Sequence, residues 1–113
     1  MKINHHICDI YNIKNKKMDD VDYVEDMFAH LTAKHGLHVE NDLAHKFPKQ
    51  GLTYIMILGE SSLVYEAYPE SEYANISVMT CGVTADGRAL IDELILLLDG
   101  KGSTKTISHR QPS

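Results

Sequence analysis

The sequence predicts an α+β fold, a two-layer sandwich with helices on one face of a largely antiparallel sheet. Three observations predict it. Two segments repeat apolar residues at helical spacing, short β-rich runs lie between and around them, and Gly, Pro or polar turn residues bound most runs. A chain of 113 residues with 43% hydrophobic and 24% charged residues suffices for one modest core, so residues 1–113 read as a single domain.

Residues 5–13 mix apolar and polar side chains with a β-branched bias and read as the first strand. Asp19 and Asp20 offer an N-cap and negative charge for a helix start, and Val24, Met27, Phe28 and Leu31 recur at helical spacing until Gly36. From Leu37 the period changes. Three β-like runs follow, 37–47, 52–58 and 63–68, separated by Pro48-Lys49-Gln50-Gly51 and by Gly59-Glu60-Ser61. A fourth, 75–81, alternates Ile76, Val78 and Thr80 against Asn75, Ser77, Met79 and Cys81, so its two faces differ chemically. Thr84 can cap a second helix whose apolar stripe is Leu90, Ile91, Leu94, Leu97 and Leu98, ending at Gly100. Residues 103–109 can add a last edge strand, with 111–113 frayed beyond it. The element order is written β-α-β-β-β-α-β. A sheet covered by helices on one face needs a cover on the other, and a second copy of the same sheet is the simplest one. A homodimer is therefore expected, and in a chain this small a functional site is easily built where two copies meet.

The formal net charge of −5, with no basic run longer than Lys16-Lys17, argues against nucleic acid as a partner. The N-terminus has no apolar leader core, and no window approaches the ~20 apolar residues of a membrane span. Cys8 and Cys81 can form at most one disulfide; their number suggests neither a disulfide scaffold nor a zinc site. A reducing cytoplasm is the expected location, and no metal is expected. The histidines form no supported metal-ligand spacing and read as surface residues, with His45 alone singled out for its place before Phe47.

The chemistry is concentrated in the stretch Gly59-Glu60-Ser61-Ser62-Leu63 through Tyr68-Pro69-Glu70, followed by Thr80-Cys81-Gly82. A Gly, an acid and two hydroxyls between strands ordinarily make only a tight turn. Here their spacing to Pro69-Glu70 and to Thr80-Cys81-Gly82 resembles the prokaryotic S-adenosylmethionine decarboxylases, in which Glu-Ser-His-Leu leads to His-Thr-Trp-Pro-Glu and later to Thr-Cys-Gly. Upstream, His45-Lys46-Phe47, Gln50-Gly51-Leu52-Thr53 and Asp19-Asp20-Val21 also resemble that family, so the likeness covers residues 5–98.

The resemblance implies self-cleavage. The Ser61 hydroxyl attacks the Glu60 carbonyl, and the resulting ester breaks into chains 1–60 and 61–113 with a pyruvoyl cofactor at position 61. Its ketone condenses with the amine of a small-molecule substrate and draws electrons as CO₂ leaves. By the same resemblance Cys81 is the proton donor to the decarboxylated carbon and Thr53 the hydroxyl that assists processing. Phe47 and Tyr68 flank adenine, and Glu70 holds the ribose hydroxyls. Cys8 reads as a small buried hydrophobe.

Two positions depart from the family. Ser62 replaces a His after the cleavage serine, and Glu66 replaces the His that takes the Cα proton. A Glu near pKa 4.3 is a weaker base than a His near 6.5, and burial raises it toward usefulness. Period-2 alternation puts Glu66 on the face of Val64 and Tyr68. Three functions follow: decarboxylation of S-adenosylmethionine with Glu66 as base, decarboxylation of arginine or ornithine with Glu66 opposite their charge, or an uncut chain that binds S-adenosylmethionine as a regulator or performs another reaction on it.

Overall fold

A computed structural model describes residues 1–82, 86–110 and 112. Six strands and two helices run in the order β1 (Lys2–Tyr11), α1 (Val21–Lys34), β2 (Asn41–Lys46), β3 (Leu52–Leu58), β4 (Ser61–Tyr68), β5 (Tyr73–Cys81), α2 (Gly87–Leu98) and β6 (Lys101–Arg110). All pair antiparallel in one sheet of order β2-β3-β4-β5-β1-β6. The two-layer α+β expectation holds, and all four β runs read between the helices form strands, one more than the written order β-α-β-β-β-α-β counts. Each run forms its own strand because a chain reversal isolates it, and the last reversal is the 3₁₀ turn Pro69–Ser71 with Glu72 left-handed at φ 50°.

The sheet has two unlike faces because side chains alternate along a strand. Leu63, Tyr65 and Ala67 of β4, Ala74, Ile76 and Val78 of β5, and Cys8 and Ile10 of β1 are buried under the helices. From α1, Val24, Met27, Phe28 and Leu31 complete this layer as their spacing predicts, with the Phe28 ring 5.2 Å from Tyr65 and 5.6 Å from Tyr54. Fully burying a side chain of this kind contributes about 1.5–3 kcal/mol. Tyr65 remains polar at its tip, where its hydroxyl donates to the Met18 carbonyl at 2.7 Å. The opposite face is uncovered in one chain and exposes Ile7, Tyr11, Leu43, Ile55, Ile57 and Ile107.

Several boundaries shift. β1 ends at Tyr11 because Asn12 turns left-handed at φ 54°, although Ile13 is still buried. The 37–47 run becomes a strand only from Asn41. Asp86 caps α2, its carboxylate accepting from the Ala89 amide at 2.9 Å; Thr84, the expected cap, lies outside the described residues. Leu97 is partly exposed while Leu90, Ile91, Leu94 and Leu98 are buried, so the α2 stripe is narrower than predicted. Cys8 and Cys81 are both free, the first in the core and the second on the opposite face. His6 is not a surface residue: it lies under α2 with Nδ1 2.9 Å from the Thr106 hydroxyl. His35 is also largely covered and joins Lys34 on Glu93 of α2. No helix among the described residues is long and apolar enough to cross a membrane.

Candidate active site

Strands β3 and β4 are joined by the shortest link an antiparallel pair allows. Leu58 pairs with Ser61, leaving Gly59 and Glu60 as a two-residue turn in which Gly59 takes φ 63°. A left-handed first turn residue matches the twist of a hairpin, and glycine adopts it without strain. Ser61 therefore begins β4 instead of lying in the loop, and its side chain is drawn to the helix side, 7% exposed. The end of β5 lies beside it. The Cys81 amide donates to Ser61 Oγ at 3.3 Å, and the Cys81 thiol donates to the Glu60 carbonyl oxygen at 3.3 Å. Hydroxyl, carbonyl and thiol thus surround one peptide bond, Glu60-Ser61.

The other predicted site residues gather elsewhere. On the uncovered face Glu66 pairs across to Thr53 on one side and Asn75 on the other, and Thr53 pairs with His45 while Asn75 pairs with Asp9. One polar row, His45-Thr53-Glu66-Asn75-Asp9, therefore crosses five strands. Glu66 accepts from the Tyr68 hydroxyl at 2.9 Å, and that bond raises the Tyr68 phenol above its ordinary range. Tyr68 stacks on Tyr73 at 5.8 Å, and Tyr73 on Tyr11 at 6.2 Å. The hydroxyl of Tyr73 and the amide of Asn75 donate to Asp9 and hold its carboxyl below the usual range. Phe47 is half-buried just after β2, its ring against Gly51 and 5.3 Å from His45, and Glu70 is exposed in the 3₁₀ turn after Tyr68.

Strand geometry separates the two groups. Five residues of extended chain at about 3.3 Å each put the α-carbons of Ser61 and Glu66 roughly 17 Å apart. Ser61, Glu60 and Cys81 come together; Thr53, Glu66, Tyr68, Glu70 and Phe47 form a second cluster toward the other end of the same strands. Asp9, Asn75 and Tyr73 were not among the sequence candidates. Alternation alone puts Asn75 on the uncovered face, but only the register of β1 on β5 reveals Asp9 as its neighbour.

The S-adenosylmethionine decarboxylase family model matches residues 4–111. The chain is 32% identical to S-adenosylmethionine decarboxylase proenzyme 2 of Bacillus cereus over 94 residues, 83% of this chain and 76% of the relative. It is 36% identical to the S-adenosylmethionine decarboxylase proenzyme of Bacillus velezensis over 78 residues, 69% of this chain and 62% of that relative. Among solved structures, the adenosylmethionine decarboxylase from Aquifex aeolicus superposes with a TM-score of 0.82 over 95% of this chain and 88% of that one, at 21% identity, a likeness of fold. Matched along nearly its whole length by the family model, and by relatives in sequence, this chain belongs to the S-adenosylmethionine decarboxylase family.

Proposed function

We propose that the chain is a proenzyme that cuts itself between Glu60 and Ser61 and then decarboxylates S-adenosylmethionine, at a site completed by two copies. The observation that carries the cleavage is the Cys81 thiol donating to the Glu60 carbonyl while Ser61 Oγ lies at the same strand end. Attack of Ser61 Oγ on the Glu60 carbonyl carbon shifts the acyl group from nitrogen to oxygen. Negative charge builds on the Glu60 oxygen, where the Cys81 S–H already points. Removal of the Ser61 Cα proton breaks the Cβ–Oγ bond and frees residues 1–60 with a new carboxylate. Water then replaces the released amino group, which leaves as ammonia, and position 61 becomes a pyruvoyl group.

The residues suit that group: its precursor hydroxyl, the carbonyl it must attack and a proton-donating thiol lie together. Its ketone supplies an electron sink for loss of CO₂. Cys81, on the uncovered side of β5, gives a proton to the carbon left behind. That role needs a reduced thiol, which a cytoplasmic location maintains.

Glu66 cannot take the Cα proton within its own chain, because general-base transfer needs hydrogen-bond reach. A second copy packed face to face, with its strands reversed, carries its Glu66 and Thr53 over the first copy's Ser61. The same packing brings Phe47 and Tyr68 for the adenine and Glu70 for the ribose. The exposed Ile7, Leu43, Ile55, Ile57 and Ile107 support such a homodimer, since a patch of this kind is a poor surface for a lone chain. Glu66 and Asp9, set among tyrosine rings, suit a substrate that carries a sulfonium charge.

Intact mass of the purified protein tests the reading. Fragments 1–60 and 61–113, the second without a free amino group, and CO₂ released from S-adenosylmethionine in preference to arginine or ornithine are expected. A permanently unbroken chain refutes it.

A further inference from the structure

One polar atom beside the cut has no use in the chemistry described above. Thr80 is 1% exposed, and its Oγ1 has no hydrogen-bond partner among the described residues. An unpaired buried hydroxyl costs about 1–3 kcal/mol. Valine has the same shape and would avoid that cost.

Its surroundings point to Ser61. Ser62 pairs with Met79, so one step back along the ladder Ser61 faces Thr80. Both side chains lie on the helix side, and opposed residues in an antiparallel pair have Cβ atoms about 4.5–5.5 Å apart. The methyl group of Thr80 is turned toward Gly87 of α2, where an added Cβ would lie 3.2 Å from it, which leaves the hydroxyl free to face along the sheet. Ser61 Oγ already accepts from the Cys81 amide, and among the described residues its own proton has no acceptor.

We infer that Thr80 is a positioning residue for self-cleavage: its Oγ1, without a partner in the resting chain among the described residues, becomes the acceptor of the Ser61 hydroxyl proton when the Ser61 side chain turns to attack, and that bond aims the remaining Ser61 lone pair at the Glu60 carbonyl carbon. The inference rests on the cleavage reading above. In the step itself the Oγ–C bond forms, the C–N bond breaks, and the departing Ser61 nitrogen takes the proton given up by the Ser61 hydroxyl. Thr80 keeps its own proton, and the rearrangement needs no co-reactant.

The test compares Thr80→Val, Thr80→Ser and the parent for cleavage rate on denaturing gels and for urea unfolding midpoint. Thr80→Val is expected to fold at least as stably as the parent and to cut about tenfold or more slowly, as misorientation of a reacting group does. Thr80→Ser, which restores the hydroxyl, is expected to cut within about threefold of the parent on the same argument. Should Thr80→Val fold poorly, Thr80→Ala serves in its place. Parent-like cleavage without the hydroxyl overturns the inference, as does equal slowing in a folded Thr80→Ser. A parent chain that never cuts refutes the cleavage reading and this inference together, whereas a cutting parent with an equally fast valine variant refutes this inference alone.

Discussion

Separate inactivation of the two clusters, followed by mixing, distinguishes a shared site from a self-contained one. Ser61→Ala removes the nucleophile and keeps Glu66; Glu66→Ala does the reverse. Since the two residues start roughly 17 Å apart on one strand, far beyond the ~3 Å of proton transfer, each is inactive alone if the base comes from the partner. Co-expressed in equal amounts, variants that pair as proposed form mixed dimers with one doubly damaged site and one intact site. Random pairing makes about half of the dimers mixed, so roughly one quarter of all chains should be cut, all of them Glu66→Ala chains. Different tags on the two variants and intact mass of each species give the count. Full cleavage of Glu66→Ala alone removes Glu66 from the chemistry, and no cleavage in a verified mixed dimer refutes contribution from the partner.

Two further outcomes follow from local geometry. Gly51 sits at φ 105°, and a Cβ there would lie 2.8 Å from Phe47 Cδ2 and 3.2 Å from the Ala67 carbonyl oxygen. Gly51→Ala should therefore lower stability by about 2–4 kcal/mol in urea unfolding, through backbone strain plus overpacking; a loss well under 1 kcal/mol contradicts the argument. Asp9 is held below the ordinary carboxylate range by the Tyr73 hydroxyl first and the Asn75 amide second. A depressed carboxylate contributes stability that is present above its unfolded pKa of about 3.9 and is lost as pH falls through the lower folded value. Tyr73→Phe should lower the urea midpoint at neutral pH, with the gap from the parent shrinking below about pH 4. A gap that stays constant down to about pH 2 would assign the effect to ring packing instead of charge.

The outline of the fold is legible in the sequence because its signals are local. The α1 spacing of Val24, Met27, Phe28 and Leu31 predicts the buried side of that helix, and alternation predicts that Glu66 shares a face with Val64 and Tyr68. The family resemblance also singles out Ser61, Glu60 and Cys81 together. What stays hidden depends on lateral register. Glu66 reads as a neighbour of Ser61 along the chain, but a strand is extended, and closeness in sequence becomes distance in space. Asp9 and Asn75 lie 66 residues apart and meet only through the ladder. His6 reads as polar surface and is buried because α2 crosses over it at Gly87. Asp86 caps α2 because its carboxylate reaches the Ala89 amide, a contact that the sequence analysis did not anticipate.

Sheet order has a consequence for the severed molecule. Cut after Glu60, the first piece owns β2, β3 and β1, and the second owns β4, β5 and β6. In space these alternate as β2-β3, then β4-β5, then β1, then β6. The N-terminal strand of one piece is thus threaded between two strands of the other, and three ladders must unzip before the pieces part. Pieces of a chain cut there are expected to stay together as one body. Once denatured they are separate molecules, so their recovery becomes a second-order event that slows with dilution.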